Sequence, residues 1–268
     1  MAGSESAPAV VRDAGFAALS AVIHDPDLER YLIANVNGAP GVADGNGYIS
    51  MLSPAGTVLQ LKWIDGASAD VNLSSPAGMA VAGEYFFVAD ISTIRRFDRR
   101  DGTPKGEIPI PGAVALDGMC TSLDGSLYFT DSGDSAHAGA IYRLGQDSKL
   151  DTLARGPDLG HPTGIAVTGD SVYVVSREGE MYRVAGGKRL DVVKLPGAGL
   201  EGLVIFAGDA FVSSADGRAL FRGKFGGPFA ALLENVESPG GIGHDIWRNR
   251  ILVPLFRSNE LRILRLAF

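Results

Sequence analysis

One cysteine, Cys120, among 268 residues rules out any internal disulfide. It falls in a predicted inner strand and reads as a small core residue. No apolar run reaches membrane-spanning length. The start Met1-Ala2-Gly3-Ser4-Glu5-Ser6 has neither the positive charge nor the apolar stretch of a signal peptide. These absences predict a cytoplasmic chain with no membrane partner. Basic residues are in deficit, 24 Lys and Arg against 31 Asp and Glu, a formal net charge of −7. That balance excludes the basic stripe a nucleic-acid partner would need. The densest basic cluster, Arg95-Arg96 with Arg99-Arg100, alternates along a strand and reads as a solvated outer face. Helical patterning is also missing. Gly197-Ala198-Gly199-Leu200-Glu201-Gly202 matches G-x-G-x-x-G, but a strand follows it where a dinucleotide site needs a helix. No G-x-S-x-G nucleophile elbow occurs.

What is present is a repeat. A glycine-led phrase recurs as Gly78-Met79-Ala80-Val81, Gly118-Met119-Cys120-Thr121, Gly164-Ile165-Ala166-Val167, Gly202-Leu203-Val204-Ile205 and Gly241-Ile242-Gly243-His244, a period near forty. Each phrase is followed by a tight turn and a β-branched or aromatic run, such as Leu127-Tyr128-Phe129-Thr130 or Val172-Tyr173-Val174-Val175. A third run and a more variable fourth close the unit. Short runs of this kind bounded by Gly and Asp read as strands. Four per unit predict a propeller blade.

Five units begin near residues 78, 118, 164, 202 and 241, and Leu19 to Gly66 supplies a sixth. The last unit runs out after three strands. Ala9-Val10-Val11-Arg12 is the spare segment that would complete it and close the ring. The expectation is an all-β, six-bladed propeller of four-stranded antiparallel blades, closed by an N-terminal strand. Residues 9–268 form one domain behind a loose tail over 1–8. A hydrophobic content of 46% and 36 glycines scattered through turns suit one large, turn-dense core.

Several phrases then carry a resemblance: Val22-Ile23-His24-Asp25-Pro26, Tyr31-Leu32-Ile33-Ala34-Asn35-Val36-Asn37-Gly38, Asp44-Gly45-Asn46-Gly47-Tyr48, Phe87-Val88-Ala89-Asp90-Ile91 and Phe129-Thr130-Asp131-Ser132-Gly133. Over nearly the whole chain they resemble the SMP-30/gluconolactonase/LRE-like propellers. The resemblance implies a hydrolase of small lactones or esters, with a divalent cation, usually calcium, in the central channel. Its typical ligands are a Glu on the first inner strand, an Asn before the glycine of the third and fourth phrases, and an Asp before that of the fifth. Here those positions read Leu19, Asp117, Thr163 and Glu201. Leu19 offers no oxygen, whereas calcium takes six to eight. The cation site is therefore either modified, resting on Asp117, Thr163 and Glu201, or lost.

Asp117 and Glu201 are the candidate catalytic pair, as acid and base or as cation ligands. His161, two residues before Thr163, belongs near the same mouth as a further acid or base, or else sits on a surface loop. Asn35, Asn37, Thr163 and Arg177 are candidates for substrate binding. Arg177 stands where the pattern elsewhere gives Asp, and would hold an anionic group if it faces the mouth. Asp90 and Asp131 read as loop caps. Three readings remain open: a lactone or ester hydrolase with an altered cation site, a metal-free acid–base enzyme (cyclase, isomerase or lyase) in the same channel, and a non-catalytic propeller that binds a small molecule or a protein.

Overall fold

The forty-residue unit folds as four antiparallel strands in an N-to-C meander. A computed structural model describes residues 9–266. The tail expected over 1–8 lies outside the described residues. Six four-stranded sheets form blade 1 (19–65), blade 2 (76–109), blade 3 (116–155), blade 4 (162–194), blade 5 (200–234) and blade 6 (243–265 with 9–11). The ring closes as expected. Ala9–Val11 pairs antiparallel with Glu260–Arg265, in the register Ala9↔Ile263, Val10↔Arg262, Val11↔Leu261. The last blade thereby gains its outer strand and loses an open edge. Among the described residues no helix is long and apolar enough to cross a membrane.

Burial grades outward along each blade. The second strand of blade 1, Arg30–Asn35, is buried at every position, whereas the fourth strand of blade 2, Pro104–Pro109, is mostly exposed. The core is divided into wedges between neighbouring blades. Phe86, Phe97, Ile49 and Trp63 fill the wedge between blades 1 and 2. Phe129 and Tyr142, stacked with ring centroids 5.2 Å apart, help fill the one between blades 2 and 3. Two apolar sheet faces meeting across each wedge supply the stabilisation.

The repeated glycine is explained by close approach at the hub. A Cβ on Gly118 would lie 2.4 Å from the Thr163 carbonyl oxygen of the next blade, and one on Gly78 only 2.1 Å from that of Asp117. No side chain fits there, so the period of the sequence marks where inner strands nearly touch. Hydroxyls tie the same contacts. Thr130 Oγ1 donates to Thr163 O at 2.5 Å, Thr163 Oγ1 to Leu200 O at 2.7 Å, and Ser213 Oγ to Gly240 O at 2.6 Å.

Candidate functional site

Blades 1 to 5 build the site with the same local device. In each, the first strand starts with one paired residue, and then the ladder slips. Leu19↔Asn35, Pro76↔Asp90, Leu116↔Asp131, Pro162↔Ser176 and Leu200↔Ser214 are equivalent pairs, each followed by a register shift. Such a bulge re-aims a side chain out of the sheet. The bulged amides are satisfied: Gly118 N donates to Thr130 Oγ1 at 3.0 Å and Gly202 N to Ser213 Oγ at 2.8 Å. The residues just after the equivalent pairs, Ser20, Ala77, Asp117, Thr163 and Glu201, therefore form one ring, and the bridge Pro239↔Leu255 puts Gly240 at the sixth place.

This ring corrects the placement of Leu19. Leu19 is fully buried in the wedge between blades 6 and 1, with Tyr31, Leu252 and Leu261. Ser20 holds the ring position, and its Oγ donates to Pro76 O at 2.6 Å. The bulge moves the inward-facing position one residue along.

A second ring sits above the first. It comprises the residues that follow each second strand: Val36, Ile91, Ser132, Arg177, Ala215 and Phe256. Arg177 belongs here, not at the recurrent Asp position, which Ser176 fills through its pairing with Pro162. Its backbone is clamped on both sides: Arg177 N donates to His161 O at 3.1 Å and Gly199 N to Arg177 O at 2.8 Å. From that fixed point the guanidinium reaches inward. Nη2 donates to Asp117 Oδ2 at 3.2 Å, and Nε lies 3.8 Å from Glu201 Oε1. Ser132 Oγ donates to the same Asp117 oxygen at 2.9 Å. Neither Ser20 nor Ser132 stood out in the sequence. The signal that would have found Ser132 is its place one residue beyond the second strand of blade 3, matching Arg177 in blade 4.

The electrostatics follow from burial. Burial in the channel pushes Glu201 up to about 8, the negative charge of Asp117 adds to this, and Arg177 opposes it. Burial raises Asp117 as well, against the pull of Arg177 and the Ser132 hydrogen bond. Burial works against the charge of Arg177, but Asp117 and Glu201 outweigh it and keep the guanidinium ionised. Two carboxyls facing one cation hold a proton between them near neutral pH.

The other candidates are engaged in contacts of their own. Thr163 occupies the ring position, but its fully buried hydroxyl donates to Val175 O at 3.1 Å and to Leu200 O. It is engaged in joining blades 4 and 5. His161 is exposed, and its Nδ1 lies 2.9 Å from Ser132 O. Asn35 is fully buried within blade 1: its Nδ2 donates to Ser50 Oγ at 3.0 Å, and its Oδ1 accepts from Ala17 N at 3.1 Å. Asn37 holds its own loop, donating to Asn46 O at 3.0 Å. Asp90 and Asp131 cap the loop amides of Ser74 and Ser75 and of Val114, Ala115 and Gly133. Only Asp117, Glu201 and Arg177 of the predicted set come together.

The donor set does not fit a divalent cation of the calcium type. Among the described residues no cluster of three or more His, Cys, Asp or Glu is placed to hold a metal. Two carboxyl groups remain, the neighbouring hydroxyls of Ser20 and Thr163 are directed at carbonyls, and a guanidinium already faces the pair. A hard dication wants six or more oxygens and no positive neighbour.

A cavity of about 350 Å³ is lined by members of both rings and by the inner strands beyond the first. Met79, Leu116, Met119, Ile165, Leu203 and Ile242 make its walls apolar, and Asp117, Glu201 and Arg177 stand on one side of it. A pocket of this size and lining suits a small, mostly apolar molecule.

Fold and cavity define a six-bladed propeller with an axial cavity. No protein-family model and no curated protein matches the chain. Solved structures do. A gluconolactonase of Xanthomonas campestris is 17% identical, covering 98% of this chain and 96% of its own, with a TM-score of 0.69. A luciferin-regenerating enzyme is 12% identical over 97% and 95% of the two chains, at 0.69. A streptogramin B lyase is 13% identical over 97% and 98%, also at 0.69. The chain has the fold of the SMP-30/gluconolactonase/LRE-like propellers. At these identities the likeness speaks for fold alone.

Proposed function

We propose that this chain is a metal-independent acid–base enzyme acting on a small, largely apolar ester or lactone in the axial cavity. The observation that carries this reading is the Asp117–Arg177–Glu201 triad at one side of an otherwise apolar pocket. The two carboxyls have unequal surroundings. Asp117 accepts from both Arg177 and Ser132, which opposes the rise that burial imposes on it. Glu201 lies farther from the guanidinium and is held protonated by burial. Unequal environments of this kind separate a base from an acid.

In this reading Asp117 is the general base and Glu201 the general acid. Asp117 takes a proton from an attacking water, or from carbon in an elimination. Glu201 delivers one to the departing oxygen. Arg177 lines the same cavity and presents N–H groups to the carbonyl oxygen as charge develops. Positioned proton transfer contributes on the order of 10²–10⁴ in rate. The similarity in fold to a gluconolactonase and to a lyase supports both ring opening and elimination as chemistries this scaffold hosts.

The test is turnover of a panel of small lactones and apolar esters by chelator-treated protein. Activity should survive chelation and fall at least a hundredfold in both Asp117→Asn and Glu201→Gln. Activity abolished by chelator, or unchanged in both variants, overturns the reading.

A further inference from the structure

We propose that the guanidinium of Arg177 is the resident cation of this channel, standing where a divalent ion would otherwise bind and keeping one out. The inference rests on Asp117 and Glu201 being the functional pair, and it says what kind of centre they form.

Four observations carry it. The guanidinium contacts both carboxyls, at 3.2 Å to Asp117 and 3.8 Å to Glu201, so one positive group serves two acids on different blades. Its backbone is fixed by hydrogen bonds to two different loops, at His161 and Gly199, so the charge is launched from a rigid point. In the second ring Arg177 is alone in its charge: the equivalents are Val36, Ile91, Ser132, Ala215 and Phe256. Finally, the first ring has traded oxygen donors for other tasks. Ser20 and Thr163 tie neighbouring blades, and Ala77 and Gly240 have none to offer.

A guanidinium and a dication cannot share this site. Both need the same carboxylate oxygens, and like charges within a few ångströms repel. Arginine also suits the role better than a metal would here. Its guanidinium stays ionised beside the two acids, and being half exposed it leaves its other N–H groups to solvent, so two carboxyls suffice as protein partners. Removing it leaves two adjacent carboxyls with no counter-charge, a site that gains by taking up a cation from solution.

The experiment is Mn²⁺ binding to the full chain, read by electron paramagnetic resonance without substrate, with thermal unfolding to confirm that each variant is folded. Wild type and Arg177→Lys should show no tightly held ion. Arg177→Met should bind one Mn²⁺ per chain at least tenfold more tightly than wild type, and Arg177→Met with Glu201→Gln should lose that gain. Wild type binding one ion as tightly as Arg177→Met, or no gain in Arg177→Met, overturns the proposal. Should Arg177→Met fail to fold, Arg177→Gln, which keeps a polar side chain at the mouth, carries the same two outcomes. The result is independent of turnover. A metal gain with no activity on any ester would sink the enzymatic reading alone, and an active enzyme whose Arg177→Met variant ignores Mn²⁺ would sink this one alone.

Discussion

Glu201→Gln should make the folded protein more stable at neutral pH while removing its activity. Glu201 ionises near 4.5 when unfolded and near 8 in the channel. Its folded form therefore prefers the proton, and ionisation is a penalty borne by the native state. The penalty is absent below the unfolded value and grows as pH rises toward the folded one. At pH 7, some 2.5 pH units above the unfolded value, it amounts to about 3 kcal/mol. Glutamine keeps the shape and never ionises. The attraction to Arg177 is already contained in that folded value, so the net gain is about 3 kcal/mol at pH 7, or roughly 6–12 °C in Tm for a domain of this size. At pH 4.5 the two proteins should differ by less than about 1 kcal/mol. Urea unfolding of both at pH 4.5, 6, 7 and 8 measures this. A difference that stays flat across that range, or a variant less stable than wild type at pH 7, would refute the electrostatic account of the channel.

Three further outcomes follow from the same geometry. Gly118→Ala places a Cβ 2.4 Å from the Thr163 carbonyl and should cost about 1–3 kcal/mol in chemical denaturation, so a loss below about 0.5 kcal/mol would show that the blades are not in contact there. Thr163→Val should cost about 1–2 kcal/mol by leaving the Val175 and Leu200 carbonyls without its hydroxyl, with turnover unchanged, and a selective loss of activity would return Thr163 to the site. His244, packed 4.1 Å from the Phe206 ring, is held near 4 chiefly by burial, with Asp245 opposing. Its folded value lies below the unfolded one, so stability should be full above pH 6.5 and fall by up to about 1.4 kcal/mol per pH unit toward pH 4, a slope that His244→Leu should flatten.

The architecture was legible because its cause is local and repeated. Gly78, Gly118, Gly164 and Gly202 all sit where a neighbouring inner strand passes too close for a Cβ, and a constraint that recurs every forty residues shows as a period. Asp117 and Glu201 were legible for the same reason, since they precede that glycine in two repeats. The spare strand at Ala9–Val11 followed from counting, because a ring of blades leaves one sheet short. The remainder of the site depends on facts that no single segment contains. Leu19 stood in for Ser20 because a one-residue bulge decides which of two adjacent side chains faces the axis. Thr163 stood as a ligand because its competing acceptor, Leu200 O, lies 37 residues away on another blade.

Arg177 shows most clearly where sequence and geometry part. Read along the chain, Ser176-Arg177 looks like a substituted Asp position, and an arginine on a turn is by default a surface residue. The pairing Pro162↔Ser176 moves Arg177 one place on, into the ring whose members overhang the cavity. That single step reverses the meaning of the losses at the first ring. Without a cation, two half-buried carboxyls facing a mostly apolar cavity would each raise the other's proton affinity, with only Ser132 to oppose it at Asp117. With the Arg177 guanidinium facing both they form a neutral, proton-sharing centre at the edge of an apolar pocket with few oxygen donors. Asp117, Glu201 and Arg177 thus form one coupled group, and substituting any one of the three should alter the behaviour of the other two more than its own contacts account for.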